Sequence, residues 1–272
     1  MISIITPTFN SEKTIVGNAQ SIIDQSYQEF EHIIVDNLSE DDTIAKVEYV
    51  YNKNGLSNRL KIIREKDEGI SDAFNKGILA SEGDIIAVLN SDDKYFNNFV
   101  FEKVNASFND KNILIVHGDI FFADKIHGSN RRAPRLCPAS GAILFNHAAM
   151  FVRRKIYDDI GLYNREYAVA MDTEYFYRIK RNFGEVAEIS KYINEFPIAI
   201  MSAGGTSWNH ELKGIEEMKR ALKFYGYWNP KAKWIYLIRV IRTNIKKPLT
   251  SLRLNFIVKA WRKLKWRQTK TF

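Results

Sequence analysis

One cysteine, Cys137, stands alone in a chain of 272 residues. An internal disulfide framework is therefore excluded, and such sparing cysteine usage suits a reducing compartment. Two common nucleotide cradles are also missing. No G-x-G-x-x-G follows the first apolar run, and no G-x-x-x-x-G-K-[ST] occurs anywhere, so a bound nucleotide would need another way to hold its phosphates. The start, Met1-Ile2-Ser3-Ile4-Ile5-Thr6-Pro7, has no basic segment ahead of a long apolar one, and no stretch is long enough to span a bilayer. The expectation is a cytoplasmic protein without a signal peptide. Finally, no Asp or Glu follows Glu217. Sixteen of the 40 Lys and Arg lie beyond that point, leaving 24 basic against 32 acidic residues before it. The charge break suggests an acidic body, 1–217, and a basic extension, 218–272.

What is present begins with a repeated theme, a short apolar strand followed by a segment of helical period. Ile2 to Ile5 runs into Thr6-Pro7-Thr8-Phe9-Asn10, after which Ile15, Ala19, Ile22 and Ile23 recur at helical spacing behind Ser11 as a cap. His32 to Val35 precedes Asp36-Asn37-Leu38-Ser39 and a helix marked by Ile44, Val47 and Tyr51; Leu60 to Ile63 precedes one carrying Ile70, Ala73, Gly77 and Ile78. A fourth strand, Ile85 to Leu89, ends on Asn90-Ser91-Asp92-Asp93. Such alternation predicts an open, mixed but mostly parallel α/β sheet flanked by helices, with Thr8, Asp36 and Asp92-Asp93 together on the edge where ligands bind.

Adjacent carboxylates at a strand end repel unless a cation neutralises them. A hard divalent ion, Mn2+ or Mg2+, would do so, commonly alongside the phosphates of a nucleotide. An isolated Asp-Asp is nonetheless more often a polar turn that caps the next element.

Taken together, four segments resemble the family 2 inverting glycosyltransferases, whose nucleotide-sugar-binding domain has the GT-A fold. They are Ser3 to Asn10, Ile34 to Ser39 with Asp42-Thr43, Asp67 to Gly77, and Leu89 to Asp93, within a similarity that spans about residues 1–210. The resemblance implies a nucleotide site formed by Thr6, Pro7, Thr8, Asp36, Asp67 and Asp92. It further implies a metal held by Asp93 and Asp92, with His210 as a candidate additional ligand after the Ala203-Gly204-Gly205-Thr206-Ser207 stretch. The chain departs from the family pattern at Asn90, where an acidic triplet often begins with Asp, and at Asn37-Leu38, where small residues are common.

Acceptor-side candidates come later. His147 to Arg154 is similar to a segment of bacterial family members, and Gly161-Leu162-Tyr163 leads to Met171-Asp172-Thr173-Glu174-Tyr175. In the family a carboxylate at the start of this helix acts as general base, and the matching residue is Asp172. Removing the proton from a sugar hydroxyl in the transition state is worth roughly 100- to 10,000-fold. Read without the family, Asp172 is as well explained as a helix N-cap. Glu174 is the alternative carboxylate, and His147 is expected to shape the acceptor pocket.

The basic extension has helical periodicity of its own. Trp234, Leu237, Ile238, Ile241 and Ile245 share one face with Arg239, Arg242 and Lys246 off it; after Pro248 come Leu254, Ile257, Val258, Trp261 and Leu264. Interfacial membrane helices fit this pattern, as do apolar faces packed on the body or on a second subunit. A tail so rich in Trp, Leu and Ile suits lipid better than nucleic acid, which is not expected as a partner.

The expectation is thus a metal-dependent inverting glycosyltransferase of surface polysaccharide biosynthesis. It would move a sugar from a nucleotide-sugar, by expectation a UDP-sugar, to a glycan or lipid-linked acceptor. It would sit peripherally on the inner face of the cell membrane, held to anionic lipid by its tail, and self-association stays open. Two alternatives have different signatures. A sugar-nucleotide pyrophosphorylase should show a Gly-rich, Arg-containing loop after the first strand, and a non-enzymatic basic membrane or nucleic-acid adaptor would leave Asp92-Asp93 without use.

Overall fold

The computed structural model describes residues 1–124, 129–202 and 210–251, with side chains as far as residue 245. The alternation read from the sequence appears as β1 (Ile2–Thr8), α1 (Ile15–Ile23), β2 (Phe30–Asp36), α2 (Thr43–Lys53), β3 (Leu60–Arg64), α3 (Ile70–Ala80) and β4 (Ile85–Val88). Strands β1, β2 and β4 are buried on both faces because helices cover both, while β3 at the sheet edge is only partly buried. Ile2, Ile4 and Ile34 pack with Ile15, Ala19, Ile22 and Val47 on one side, and Ile5, Val35 and Val88 with Ala73, Phe74 and Ile78 on the other. That two-sided burial is why the strands read as continuous apolar runs instead of alternating ones. Contact between α3 and β1 is so close that a Cβ at Gly77 would lie 2.3 Å from Ile5 Cγ2.

The chain continues through β5 (Lys94–Tyr95), α4 (Val100–Ser107), β6 (Ile115–Gly118), β7 (Ile120–Ala123), β8 (Asn130–Arg132), β9 (Arg135–Leu136), β10 (Ile143–Leu144) and β11 (Met150–Arg153). Then follow α5 (Arg154–Ile160), α6 (Met171–Phe183), β12 (Ser190–Ile193), β13 (Ala199–Ser202), α7 (Glu211–Phe224) and α8 (Pro230–Ser251). Seven strands form the central sheet in the order β12-β6-β11-β4-β1-β2-β3, and β5, β13, β7 and β8 form a smaller one. Within the central sheet every pairing is parallel except those of β11, which runs antiparallel to β4 and to β6. The reversal has a chemical consequence: the amino end of β11 meets the carboxyl end of β4. His147, just before β11, is thereby delivered to the same edge as Asn90 and Asp92-Asp93.

Three sequence expectations change here. Ser11 does not cap α1: Thr14 stands at the N-cap without a side-chain bond, and the Ser11 hydroxyl lies 2.8 Å from Ser91 Oγ. The expected boundary between 1–217 and 218–272 falls inside α7, where Ile215 on one side and Met218, Ala221 and Leu222 on the other are all buried. The charge changes at Glu217, but the packing of α7 does not change with it. Helix α8 also runs on past Pro248 to Ser251; the second apolar set, from Leu254 onward, lies outside the described residues.

Candidate active site

The turn Asn90–Asp93 is braced on several sides. From α1, the fully buried Asn18 donates through Nδ2 to the carbonyls of Asn90 (2.9 Å) and Asp93 (3.0 Å). At the end of β13, Ser202 donates its backbone N–H to Asp93 Oδ1 (3.1 Å) and its hydroxyl to the Asp92 carbonyl (2.9 Å). These bonds hold two carboxylates at a strand terminus and leave Asp93 Oδ2 buried without a partner. Burial, reinforced by the Asp92 charge, pushes the Asp93 carboxyl up to about 7, against the opposing pull of His147 and the Ser202 amide. A nearby cation would favour the charged form of such a carboxylate.

Among the described residues, no group of three or more His, Cys, Asp or Glu is placed to hold a metal. Among the described residues the candidate ligands at this edge are the Asp92-Asp93 pair, and two carboxylates suit Mg2+ or Mn2+, which keep water and phosphate oxygens as further ligands. His210 is exposed at the N-cap of α7 and is not part of any such group.

Across the turn stands His147. Its Nδ1 lies 3.2 Å from Asp172 Oδ2, and its Nε2 lies 3.0 Å from the Asn90 side-chain amide. Burial alone would lower the imidazole pKa, but Asp172, Asp93 and Asp92 outweigh it and raise the value to about 9. A cationic imidazole donates from both nitrogens, so Asn90 must turn its amide oxygen towards Nε2. That rotation also gives a donor to Asn90 Oδ1, which is otherwise buried without a partner. Asp172 is thus gripped through Oδ2 while its Oδ1 has no partner. The N-cap reading of Asp172 is corrected: Ala170 is the N-cap of α6, and Asp172 sits in the first turn.

Helix α6 has no side-chain cap of its own. Glu217, buried on α7, supplies one from a distance, accepting the backbone N–H groups of Ala168 (3.2 Å), Val169 (2.8 Å) and Ala170 (2.8 Å). A carboxylate there satisfies amides the helix start leaves open and complements its dipole. Nothing in the sequence pairs residue 217 with residues 168–170; only the packing of α7 on α6 does. Asn18, Ser202 and Glu217 are the contributors that sequence reasoning missed.

The nucleotide-side residues divide. Thr8 and Asp36 meet at the expected edge, with Thr8 Oγ1 donating to Asp36 Oδ1 at 2.9 Å. Asp36 is fully buried; it also accepts from Ser39 Oγ (2.5 Å) and Ser39 N (2.9 Å) and faces Arg64 Nε at 3.5 Å. Pro7 is half-buried in β1. Asp67 caps its own turn, accepting from Gly69 N at 2.9 Å, and its N–H donates to Asn37 Oδ1 at 2.9 Å, which ties the loops after β2 and β3 together. Leu38, at the departure from the family pattern, has φ 56, a left-handed conformation that residues other than glycine adopt at a cost.

Two of the expected site residues lie away from the edge. Thr6 is fully buried beneath the edge, its hydroxyl 2.9 Å from His32 Nε2, while His32 Nδ1 reaches Tyr51 OH at 2.8 Å. Burial pushes His32 down to about 3, so this chain of three is a neutral network in the core. Glu174 is not on the acceptor side, because two residues along a helix from Asp172 it points elsewhere. It is bound by Arg178 (2.8 and 3.2 Å) and by the Tyr225 hydroxyl (2.5 Å).

The uncompensated Asp93 has a measurable consequence. Its pKa in the folded protein lies above the ordinary 3.8, so its charge destabilises the fold progressively as pH rises from there to about 7. In EDTA at pH 8, Asp93→Asn should be more stable than the parent by about 1–3 kcal/mol, and the two should converge below about pH 4. Urea unfolding across this pH range checks it; equal stability at pH 8 would mean the carboxylate is not strained. For the remote cap, Glu217→Ala should lower kcat by roughly tenfold or more with donor KM nearly unchanged, because the first turn of α6 loses its anchor, and Glu217→Gln should recover part of the loss. Steady-state kinetics of the two variants test this, and an unaltered kcat in folded Glu217→Ala would refute it.

Known proteins resemble this chain over much of its length. The family described as Glycosyl transferase family 2 matches residues 3–176. A PGL/p-HBAD biosynthesis glycosyltransferase of Mycobacterium tuberculosis (strain ATCC 25177 / H37Ra) is 29% identical over 212 residues, which is 76% of this chain and 79% of that protein. The putative teichuronic acid biosynthesis glycosyltransferase TuaG of Bacillus subtilis (strain 168) is 34% identical over 96 residues, 35% of this chain and 37% of TuaG. Among solved structures, S. aureus TarS 1-349 in complex with UDP-GlcNAc superposes with a TM-score of 0.63 at 20% identity, over 82% of this chain and 65% of that one. This chain therefore spans slightly less than two thirds of the TarS fragment. The mannosyltransferase PcManGT from Pyrobaculum calidifontis, in complex with GDP-Man and Mn2+, gives 0.61 at 14% identity, over 96% and 80%. At these identities the structures establish the GT-A fold, while the family match over most of the chain establishes an enzyme and sets aside the pyrophosphorylase and adaptor alternatives: the chain belongs to the family 2 glycosyltransferases.

Proposed function

We propose that this enzyme transfers a sugar with inversion from a nucleotide diphosphate sugar, a UDP-sugar by preference, to a hydroxyl of a glycan or lipid-linked acceptor in surface polysaccharide biosynthesis. The observation that carries the reading is Asp172: one oxygen fixed by His147, the other buried and unpartnered, on the same edge as Asp92-Asp93. TarS bound to UDP-GlcNAc and PcManGT bound to GDP-Man and Mn2+ support a nucleotide-sugar donor and a divalent ion.

In this mechanism the Asp172 carboxylate accepts the proton of the acceptor hydroxyl as the hydroxyl oxygen attacks the anomeric carbon. The bond from that carbon to the diphosphate breaks with its electron pair on the departing phosphate oxygen, and the configuration inverts. Asp93, with Asp92, would hold Mn2+ or Mg2+, which when bound offsets the charge gathering on the diphosphate. Asp92 also faces the ribose, and the edge formed by Pro7, Thr8, Asp36 and Asp67 takes the nucleoside. His147 keeps Asp172 oriented, and its positive charge lies between the base and the diphosphate. A surface depression of about 640 Å3 between α1 and α2, lined by residues such as Gln20 and Tyr49, includes none of these groups. A peripheral position on the inner membrane face would bring the site to a lipid-linked acceptor.

A screen of nucleotide-sugars for nucleoside diphosphate release with Mn2+ identifies the donor. With that donor, Asp172→Asn should cut turnover roughly 100-fold or more and leave UDP affinity nearly unchanged. Asp93→Ala should abolish the gain in UDP affinity that Mn2+ gives over EDTA in titration calorimetry. Parent-like turnover in Asp172→Asn sinks the base, and a retained metal gain in Asp93→Ala sinks the ligand.

A further inference from the structure

Helix α8 is amphipathic, and it is mounted the opposite way round from a helix that packs by its apolar face. Its inner edge is the polar one. Ala232 and Thr243 are buried there, Arg242 Nη2 donates to Glu211 Oε1 at 3.2 Å, and Arg239 lies against Met218 with its Nη1 2.9 Å from the sulfur. The Tyr236 hydroxyl donates to Glu216, and its ring packs edge-on against Trp228. Facing outward are Trp234 (63% exposed), Leu237 (46%), Ile238 (45%), Ile241 (49%) and Ile245 (55%). The spacing, three, one, three and four residues, makes one continuous apolar stripe three turns long. Monomeric proteins seldom leave such a stripe open to water.

We infer that this outward face of α8 docks on an anionic lipid surface, with Trp234, Leu237, Ile238, Ile241 and Ile245 entering the headgroup boundary. Charge selects the occupant. No acidic residue follows Glu217 and 16 basic ones do, with Lys231 and Lys233 exposed on either side of the stripe's first turn. A second copy of the chain would bring two such segments together and repel, whereas anionic lipid attracts each Lys and Arg near its surface. The polar inner edge, tied to Glu211 and Glu216, keeps α8 attached to α7 while the stripe is given to lipid. Here the proposed membrane placement gains its surface, on which its meaning rests; vesicle binding itself requires neither donor nor acceptor.

The test uses the full chain and vesicles of phosphatidylglycerol with phosphatidylcholine. Flotation should show binding at low salt that weakens at high salt and is slight on phosphatidylcholine alone. The variant Trp234→Gln/Ile238→Gln/Ile241→Gln alters only exposed positions with residues that favour helix. Its partition onto anionic vesicles should fall at least tenfold, with UDP binding equal to the parent. Parent-like partition of the variant would overturn the stripe as the docking surface. Failure of the parent to float with anionic vesicles at low salt would overturn the lipid assignment, as would a concentration-dependent dimer that the triple variant loses. Loss of UDP binding by the parent would count against the proposed donor instead, and leaves the vesicle result standing on its own.

Discussion

The site depends on an imbalance of charge at one edge of the sheet. Asp92, Asp93 and Asp172 converge there, and His147 is the basic side chain placed among them. A single antiparallel strand makes this possible: had β11 run parallel to β4, its amino end and His147 would lie at the opposite edge. The imidazole can satisfy Asp172 and lean on Asp93 but cannot neutralise all three carboxylates. What remains is the raised pKa and unpartnered oxygen of Asp93, a standing cost that a divalent ion and a diphosphate would remove together. The fold accepts this because the turn is held by groups that do not change on binding, Asn18 from α1 and Ser202 from β13.

Asn90 fits the same balance. A fourth carboxylate at that position would add repulsion; an amide offers His147 a neutral partner and still closes the turn, its carbonyl taking the Asp93 N–H at 2.9 Å. The departure from the usual acidic triplet and the presence of His147 are therefore two halves of one arrangement. On the far side of Asp172, Glu217 does for the backbone what His147 does for the side chain, so Asp172 is located by residues from β11's approach and from α7.

Much of this was legible in the sequence, for identifiable reasons. Continuous β-branched runs and helical periods are local, and they located β1 to β4 and the edge carrying Thr8, Asp36 and Asp92-Asp93. The family motifs located the start of α6. Partners far apart in the chain were not legible: periodicity carries no trace of Glu217 reaching Ala168 to Ala170, or of Ser202 meeting Asp93. Thr6 shares a face of β1 with Thr8 but lies two residues further from the strand end, where it meets His32 in the interior. Glu174 was misplaced because two residues along a helix is a turn of some 200° away from Asp172. For α8 the pattern revealed two faces but not which one turns inward. Arginines could face inward because Glu211 and Met218 await them on α7.

The claim at the centre is that Asp172 works from the side of the sugar opposite the departing diphosphate. The most direct measurement is proton NMR of the first-formed glycoside, made with an identified donor and acceptor, reading the anomeric coupling before any equilibration. An α-linked nucleotide-sugar should give a β-glycoside, the configuration inverted once. An α-glycoside would contradict the account, because retention calls for a nucleophile or a front-face path that Asp172 does not provide.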